Sequence, residues 1–392
     1  MSALPVLFGM DSRVASVPFR GLVVVLSVAV IFFVSVKRSR GYTGIFLVPL
    51  CIFWLFYFIR LLSDTVLFPI PLRLSSVEYF LYSFGMCLIP MLGLMVFVDR
   101  QTLNRAFDIS VTLAAIACGL ALYVNLQPVL SGASSVAGSG RMASETLNSI
   151  SLGHLGASLA ILCGYYLYEK SKFLKRSNAS FMLLMLLGLF TVGTAASRGP
   201  FLALILVVAT FVLLRMRVRY LVRLLSFGAI ILIVTSGVAQ IIENKLGYSP
   251  ITRVQSIVEI SDDQSTSIRL QLFEDAWSQF LNNPLTGSAL EELNSGFYPH
   301  NVVLESFMAT GIVGGTTFCI LVIMSLWSAF QLIYGNSVAT WVALLYIQYL
   351  VAAMFSGSLY GSNIMWSMMG AVITMHYCAR RLSQQEFSRA TM

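Results

Sequence analysis

The sequence predicts an all-α polytopic membrane protein with about 11 transmembrane helices, and three observations lead to that fold class. Hydrophobic residues make up 57% of the chain and charged residues only 11%, against about 25% charged in ordinary globular domains. Apolar stretches of about 20 residues, the length of a spanning helix, recur along nearly the whole chain. The basic residues collect between those stretches. We therefore expect a single membrane domain over residues 1–392.

Eleven apolar stretches are assigned as spans. They are residues 20–36, 44–62, 79–98, 107–127, 151–168, 180–196, 200–214, 224–241, 303–330, 338–356 and 360–378. Lys and Arg concentrate after the first, third, fifth, seventh and last of them. Because short loops rich in Lys and Arg stay cytoplasmic, we expect the C-terminus inside and the N-terminus outside. Gly311 and Gly315 have the spacing that lets two helices pack closely.

Two long segments are then expected on the outer side. Residues 128–150 form the smaller loop, and residues 242–302 form a large, partly helical loop. Within the large loop, the pattern predicts a helix over 267–281, with Ser267 as N-cap and a stop at Asn282-Asn283-Pro284. Arg269 falls on the apolar face of that helix with Phe273, Ala276 and Phe280. This placement fits either an arginine that snorkels or one that meets an anion at the membrane surface.

His300 is the candidate general base. It follows Tyr298-Pro299 where the chain re-enters the membrane, and a helix N-terminus favours the neutral imidazole that a base requires. The alternative is a hydrogen-bonded structural histidine. Asn301 and Glu305 follow it, and a carboxyl group inside a span is costly unless it is paired or functional. His154, just inside the fifth span, is a further supporting candidate.

Three arginines are expected on the same outer side: Arg141, Arg198 and Arg269. Arg198 interrupts two apolar segments, and ionisable residues at that depth indicate function by default; a snorkelling arginine in a tight turn is the alternative. The planar guanidinium suits phosphate oxygens. With no metal-ligand spacing and no cofactor motif, this set favours a membrane-embedded diphosphate that carries sugars. The net charge of +8 is attributed to topology signals and not to nucleic acid.

Several runs together resemble the O-antigen ligase and polymerase superfamily. The runs that carry the resemblance are Arg269…Trp277…Phe280…Asn283-Pro284-Leu285-Thr286-Gly287, His300-Asn301-Val302-Val303-Leu304-Glu305…Gly311-Ile312-Val313-Gly314, Ser197-Arg198-Gly199-Pro200, and Gly140-Arg141 with Asn148-Ser149-Ile150-Ser151-Leu152-Gly153. They cover roughly residues 135 to 375.

The resemblance implies a metal-independent, inverting membrane glycosyltransferase in the bacterial inner membrane, with its active site facing the periplasm. The donor would be a glycan on undecaprenyl diphosphate, bound by Arg198 and Arg269 with help from Arg141, and His300 would be the base. The acceptor would be a second glycan, with membrane lipids and a chain-length regulator as further partners. A polymerase joining lipid-linked repeat units is preferred. A ligase that transfers the chain to lipid A core and a glycolipid flippase stay open as alternatives.

Overall fold

The computed structural model describes residues 12–35, 44–95, 99–130, 149–170, 176–195, 197–215 and 264–390. These ranges contain eleven helices and no strand. In chain order the helices are α1 (Ser12–Ser35), α2 (Gly44–Leu67), α3 (Ser76–Leu94), α4 (Arg100–Leu130), α5 (Ser149–Lys170), α6 (Arg176–Ala195), α7 (Arg198–Arg215), α8 (Gln264–Asn282), α9 (Val302–Tyr334), α10 (Thr340–Ser356) and α11 (Asn363–Ala390).

The all-α polytopic membrane fold predicted from the sequence is confirmed. Seven helices in the described ranges are long and apolar enough to cross a membrane, and α1 and α10 supply shorter apolar helices. A helix occurs at ten of the eleven predicted spans. The remaining one, residues 224–241, lies outside the described residues, as does nearly all of the loop at 128–150.

The helix predicted in the large loop is present as α8, and it stops at Asn282 as expected. It begins at Gln264, so Ser267 lies inside the helix and is not its N-cap. Gln, Ser and Thr cost little in the first turns of a helix, which explains why this polar stretch does not delay the start. The buried face of α8 includes Ala276 and Phe280, and the Phe280 ring lies 5.3 Å from that of Phe307 in α9.

In the described ranges the chain forms two compact units. The four-helix unit comprises α4 to α7. The seven-helix unit comprises α1 from Arg20 onward, α2, α3 and α8 to α11.

Aromatic side chains form the centre of the seven-helix unit. Phe53 of α2 lies 5.2 Å from Phe318 of α9 and 5.5 Å from Trp366 of α11, measured between ring centroids. Trp54 lies 5.0 Å from the same Trp366. Because lipid is as apolar as these side chains, the gain here comes from close packing of rings more than from the hydrophobic effect. The cluster joins α2, α9 and α11.

Small residues bring helices together in the four-helix unit. A Cβ atom on Gly156 of α5 would lie 2.6 Å from the carbonyl oxygen of Gly188 in α6, and one on Gly188 would lie 2.7 Å from that of Gly156. Further along, a Cβ atom on Gly153 would lie 2.6 Å from the ring of Pro200 in α7. Backbone approach of this kind is typical of packing between spanning helices.

One end of the seven-helix unit, here called the site face, gathers parts that are distant in sequence. A cavity at this face is lined by Arg20 of α1, Tyr82 of α3, Tyr298 before α9 and Tyr360 after α10. Arg20 of α1 therefore lies on the same face as the loop that precedes α9.

Candidate functional site

His300 occupies a strained position immediately before α9. Its φ of +55° lies in the left-handed region, which few residues other than glycine adopt. The next residue, Asn301, caps the helix: its side-chain oxygen accepts hydrogen bonds from the backbone N–H groups of Val303 and Leu304, both at 3.0 Å. The cap fixes where α9 begins. Such strain persists where the surroundings hold it, and it is concentrated at functional sites.

The imidazole of His300 is enclosed on the site face. Its ring lies edge-on to that of Tyr298, with centroids 4.5 Å apart. Its Nδ1 atom is buried and has no hydrogen-bond partner among the described residues. A buried ring nitrogen without a partner is unusual and calls for a functional explanation.

Two arginines act on His300 through their charge. Burial lowers the pKa of His300, and the positive charges of Arg269 and Arg73 lower it further, while a hydrogen bond with the Ser356 backbone raises it. The net effect is a lowered pKa. The imidazole is therefore neutral at neutral pH, the form that can accept a proton.

Tyr298 is held in its protonated form beside this base. Burial and then the charge of Glu305 raise its pKa, and Arg73 and Arg269 partly offset that effect. A protonated phenol remains a hydrogen-bond donor. The site face thus combines a neutral acceptor, a phenolic donor and two cations.

Arg73, in the loop between α2 and α3, is the cation that the sequence analysis missed. Its backbone N–H donates a 2.9 Å hydrogen bond to the Glu291 carboxylate, which also accepts a hydrogen bond from the Tyr79 hydroxyl. The Arg73 guanidinium lies over the Phe297 ring, 4.3 Å from its centroid. An arginine at the outer end of a span is the weak sequence signal that was available for it.

A second arginine that the sequence analysis missed, Arg60, builds what we call the loop anchor. Its guanidinium donates to the backbone carbonyls of Thr286, Gly287, Ser288 and Ala309 at 2.7 to 3.0 Å. It also forms an ion pair with Asp64 at 3.3 Å, and Asp64 in turn accepts a hydrogen bond from the Leu290 N–H at 2.8 Å. These bonds tie α2 to residues 286–290 and to α9.

The loop anchor exists because α9 is broken at Gly311. That residue has φ +66° and ψ −164°, a conformation that is essentially confined to glycine. The break frees carbonyl groups that a continuous helix would use. Met308 accepts from the Ser288 N–H at 2.9 Å, and Ala309 accepts from Arg60 at 3.0 Å. Every polar backbone group freed at membrane depth needs such a partner.

Glu305 and Asn301, the predicted supporting residues, both take part in holding the site face. Glu305 is 1% exposed and accepts a 2.9 Å hydrogen bond from the Leu359 N–H. The Leu359 carbonyl accepts from the Trp366 indole, also at 2.9 Å. Glu305 therefore fixes the turn between α10 and α11, and Asn301 fixes the start of α9.

The other predicted residues belong to the other unit or lie outside the described residues. Arg141 is not among the described residues. Arg198 is the first residue of α7, and His154 is buried in α5 with 6% of its surface exposed. The packing of Gly153 on Pro200 brings the segment that contains His154 against the turn that contains Arg198.

No group of three or more His, Cys, Asp or Glu side chains in the described part of the chain is arranged to hold a metal ion. Among the described residues, Arg269, Arg73 and Arg20 supply positive charge at the site face.

Part of the chain matches a known protein family. Residues 183–319 match the family model described as O-antigen ligase. The matched segment includes Arg198, Arg269 and His300. This match confirms the resemblance to the O-antigen ligase and polymerase superfamily. Neither the curated proteins nor the solved structures that were compared give a match.

Proposed function

We propose, on the premise that residues 183–319 match the O-antigen ligase family, that this membrane protein is a surface-polysaccharide polymerase. It joins repeat units that are carried on undecaprenyl diphosphate, at the periplasmic face of the inner membrane. The domain supports an O-antigen ligase or polymerase role in general. The proposed glycosyl transfer depends on one observation above all: His300 is half-buried and neutral, with its pKa lowered by burial and by the charges of two arginines.

In the proposed reaction His300 removes a proton from a sugar hydroxyl of the acceptor. That oxygen attacks the anomeric carbon of the donor glycan from the side opposite the diphosphate. A new C–O bond forms as the C–O bond to the diphosphate breaks, so the configuration inverts. Undecaprenyl diphosphate departs with the bonding electrons, and the proton stays on His300 until water removes it.

The arginines stabilise the negative charge that builds on the departing diphosphate. Arg269 and Arg198, assisted by Arg141, are proposed to bind it, and Arg73 is added here because its charge reaches His300. Guanidinium groups offer paired donors in a fixed fork, and preorganised donors of this kind lower the barrier without the participation of a metal. Asn301, Glu305 and His154 are proposed to support the site.

Reconstitution of the purified protein in vesicles tests the assignment. Lipid-linked repeat units supplied alone should give a ladder of longer glycans if the protein is a polymerase. Product that appears only after lipid A core is added would instead identify a ligase. Movement of the lipid between leaflets with no new glycosidic bond would overturn the enzyme assignment in favour of a flippase.

The diphosphate assignment has its own test. Arg269→Ala and Arg198→Ala should each weaken donor binding, measured by titration of the protein with undecaprenyl diphosphate. Lysine at both positions should not restore binding in full, because an ammonium group lacks the fork. Full activity with both lysines would show that charge alone suffices.

A further inference from the structure

The cavity on the site face lies next to His300 and has a volume of about 390 Å³. One ring separates the two: Tyr298 lines the cavity and lies edge-on to His300 at 4.5 Å. Ligand pockets range from about 300 to 1,000 Å³, so this one suits a small ligand such as one or two sugar rings. A sugar bound here contacts the opposite side of the Tyr298 ring from the proposed base, so the next sugar of the same glycan is the one that can extend toward His300.

The wall chemistry of the cavity matches a sugar. Tyr82, Tyr298 and Tyr360 supply aromatic surface and phenolic hydroxyl groups, and Ser358 and Asn363 add polar side chains. The Tyr360 ring lies 6.2 Å from Tyr82 and 6.1 Å from Tyr298. Aromatic faces pack against the C–H faces of a pyranose, and a few placed polar groups read its hydroxyls.

Arg20 gives the cavity a positive charge. It is the one ionisable cation among the described residues that line the cavity, and no carboxylate is among them. The guanidinium donates a hydrogen bond to the Tyr82 hydroxyl and lies over the Tyr82 ring, 4.9 Å from its centroid. Tyr82 thus holds the cation in place. A guanidinium has five N–H donors, and among the described residues Arg20 uses one of them, on Tyr82, so others can bind a ligand.

The nearby carboxylates do not cancel that charge at the cavity surface. Glu291 and Glu305 are 2% and 1% exposed and do not line the cavity. Glu291 is bonded by the Arg73 N–H and the Tyr79 hydroxyl, and Glu305 by the Leu359 N–H. The ligand that complements Arg20 is therefore an anion.

The cavity is built mainly by parts of the chain outside the matched domain. Of its nine lining residues in the described ranges, Tyr298 alone falls within residues 183–319. The candidate base and the diphosphate arginines Arg198 and Arg269 come from the matched segment, whereas the cavity walls come from α1, α3 and the turn before α11. The residues proposed for catalysis and the residues that line the cavity therefore come from different parts of the sequence.

We propose that this cavity binds an acidic sugar of the acceptor glycan, adjacent to the sugar that is presented to His300, with Arg20 paired to the anionic group of the bound sugar. The inference rests on the proposed function, because it assigns the acceptor of the same reaction. It adds a chemical class: acceptors that carry a carboxylate or a phosphate next to the attacking sugar are used in preference to neutral ones.

Binding of free monosaccharides to the purified protein tests this without any need for turnover. Glucuronate, glucose 6-phosphate and glucose are titrated separately and followed by ligand-observed NMR. At least one of the two anions should bind about tenfold more tightly than glucose, the increment of one charge-assisted hydrogen bond. Comparison of glucuronate with glucose 6-phosphate shows whether the cavity prefers a carboxylate or a phosphate. Equal affinities for all three sugars, or no binding of any, would overturn the proposal.

Two variants test whether Arg20 causes the tighter binding of anionic sugars. Arg20→Gln should abolish the difference in affinity between the anionic sugars and glucose. Tyr82→Phe, which removes the hydroxyl that orients the guanidinium, should reduce that difference. Arg100→Gln removes an exposed arginine of α4 and serves as the matched control. His300→Ala should bind the anionic sugar as the unmodified protein does, so a failed reaction and a failed subsite give different results. Preference for anions that persists in both cavity variants would contradict the role of Arg20.

Discussion

Arg60 at the loop anchor donates to four backbone carbonyls and an aspartate, whereas Arg269 and Arg73 at the site face act on His300 through their charge. Arg60 lies in the second half of α2, Arg269 in the first half of α8, and Arg73 in the loop between α2 and α3. The donors of Arg60 are used within the protein, so it holds backbone in place. An arginine at membrane depth thus marks a ligand site only when its donors are not already engaged by the fold.

The contrast predicts that substitutions at the site face lower the rate of glycan transfer, whereas substitutions at the loop anchor lower the stability of the folded protein. The largest effect is expected for His300→Ala. It should lower the rate of glycan transfer by about 10²- to 10⁴-fold, the contribution of a general base, with membrane insertion unchanged. Product length distributions measured on reconstituted protein check this. His376→Ala in α11 is the control, and an unaltered ladder from His300→Ala would refute the base assignment.

Arg60→Leu should instead lower the free energy of unfolding. Its loss leaves Asp64, whose side chain is 4% exposed, without its cation and leaves four carbonyls without their donor. Removal of one partner from a buried ion pair costs about 3–5 kcal/mol of the free energy of unfolding. Thermal unfolding in detergent measures the loss. Arg105→Leu, at an exposed position of α4, should change stability by less than about 0.5 kcal/mol; similar values for both variants would remove the distinction between anchor and surface arginines.

Gly311→Ala tests the break in α9 that the loop anchor serves. A Cβ atom there would lie 2.4 Å from the Leu285 carbonyl oxygen, at a φ of +66°, so backbone would have to move. We expect a loss of about 1–3 kcal/mol or more in the same unfolding measurement. Gly296 has the same φ of +66° with no atom within 4 Å, so Gly296→Ala isolates the conformational strain. An equal loss of unfolding free energy in Gly311→Ala and Gly296→Ala would mean that the close approach of Gly311 to Leu285 does not contribute to stability.

The smallest effect expected is a shift in pH dependence. Activity should fall as the pH drops through the pKa of His300, because the protonated ring cannot accept a proton. Arg269 lowers that pKa, so Arg269→Gln should raise it and move the acidic limb of the kcat/KM profile to a higher pH. Arg269→Lys keeps the charge and should leave the limb where it is. If the acidic limb of Arg269→Gln does not move, the charge of Arg269 does not control the pKa of the catalytic base.

The helical membrane fold could be predicted from the sequence because its causes are local. Backbone groups inside the bilayer must be satisfied within the segment, so hydropathy alone indicates most spans. The end of α8 at Asn282 and the position of His300 before α9 were predictable for the same reason, since Pro284 and Asn301 act on their immediate neighbours. The structure brings Arg269 and His300 into electrostatic contact, and their chemical roles stay predictions.

Arg60 and Arg73 could not have been found in the same way. The backbone carbonyls that accept from Arg60 lie 226 to 249 residues further along the chain, and the Arg73 N–H donates to Glu291 across 218 residues. No local pattern encodes such pairs.

The spacing of Gly311 and Gly315 shows a related limit. It predicts close packing between helices, but Gly311 contacts the backbone of Leu285 and Gly287, and a Cβ on Gly315 would meet the Phe307 ring of its own helix. Small residues four apart serve both purposes, so the pattern alone does not distinguish them.

The long interval between Arg60 and its acceptors has a consequence for biogenesis. The ribosome delivers α2 to the membrane long before residues 286–309 exist, and during that time the guanidinium lacks the four carbonyls that later receive it. A charged side chain inside a membrane-spanning helix is costly in lipid unless it has a polar partner. We therefore expect α2 to reach its final place in the membrane only after residues 286–309 have been made, although it is among the first helices to be synthesised.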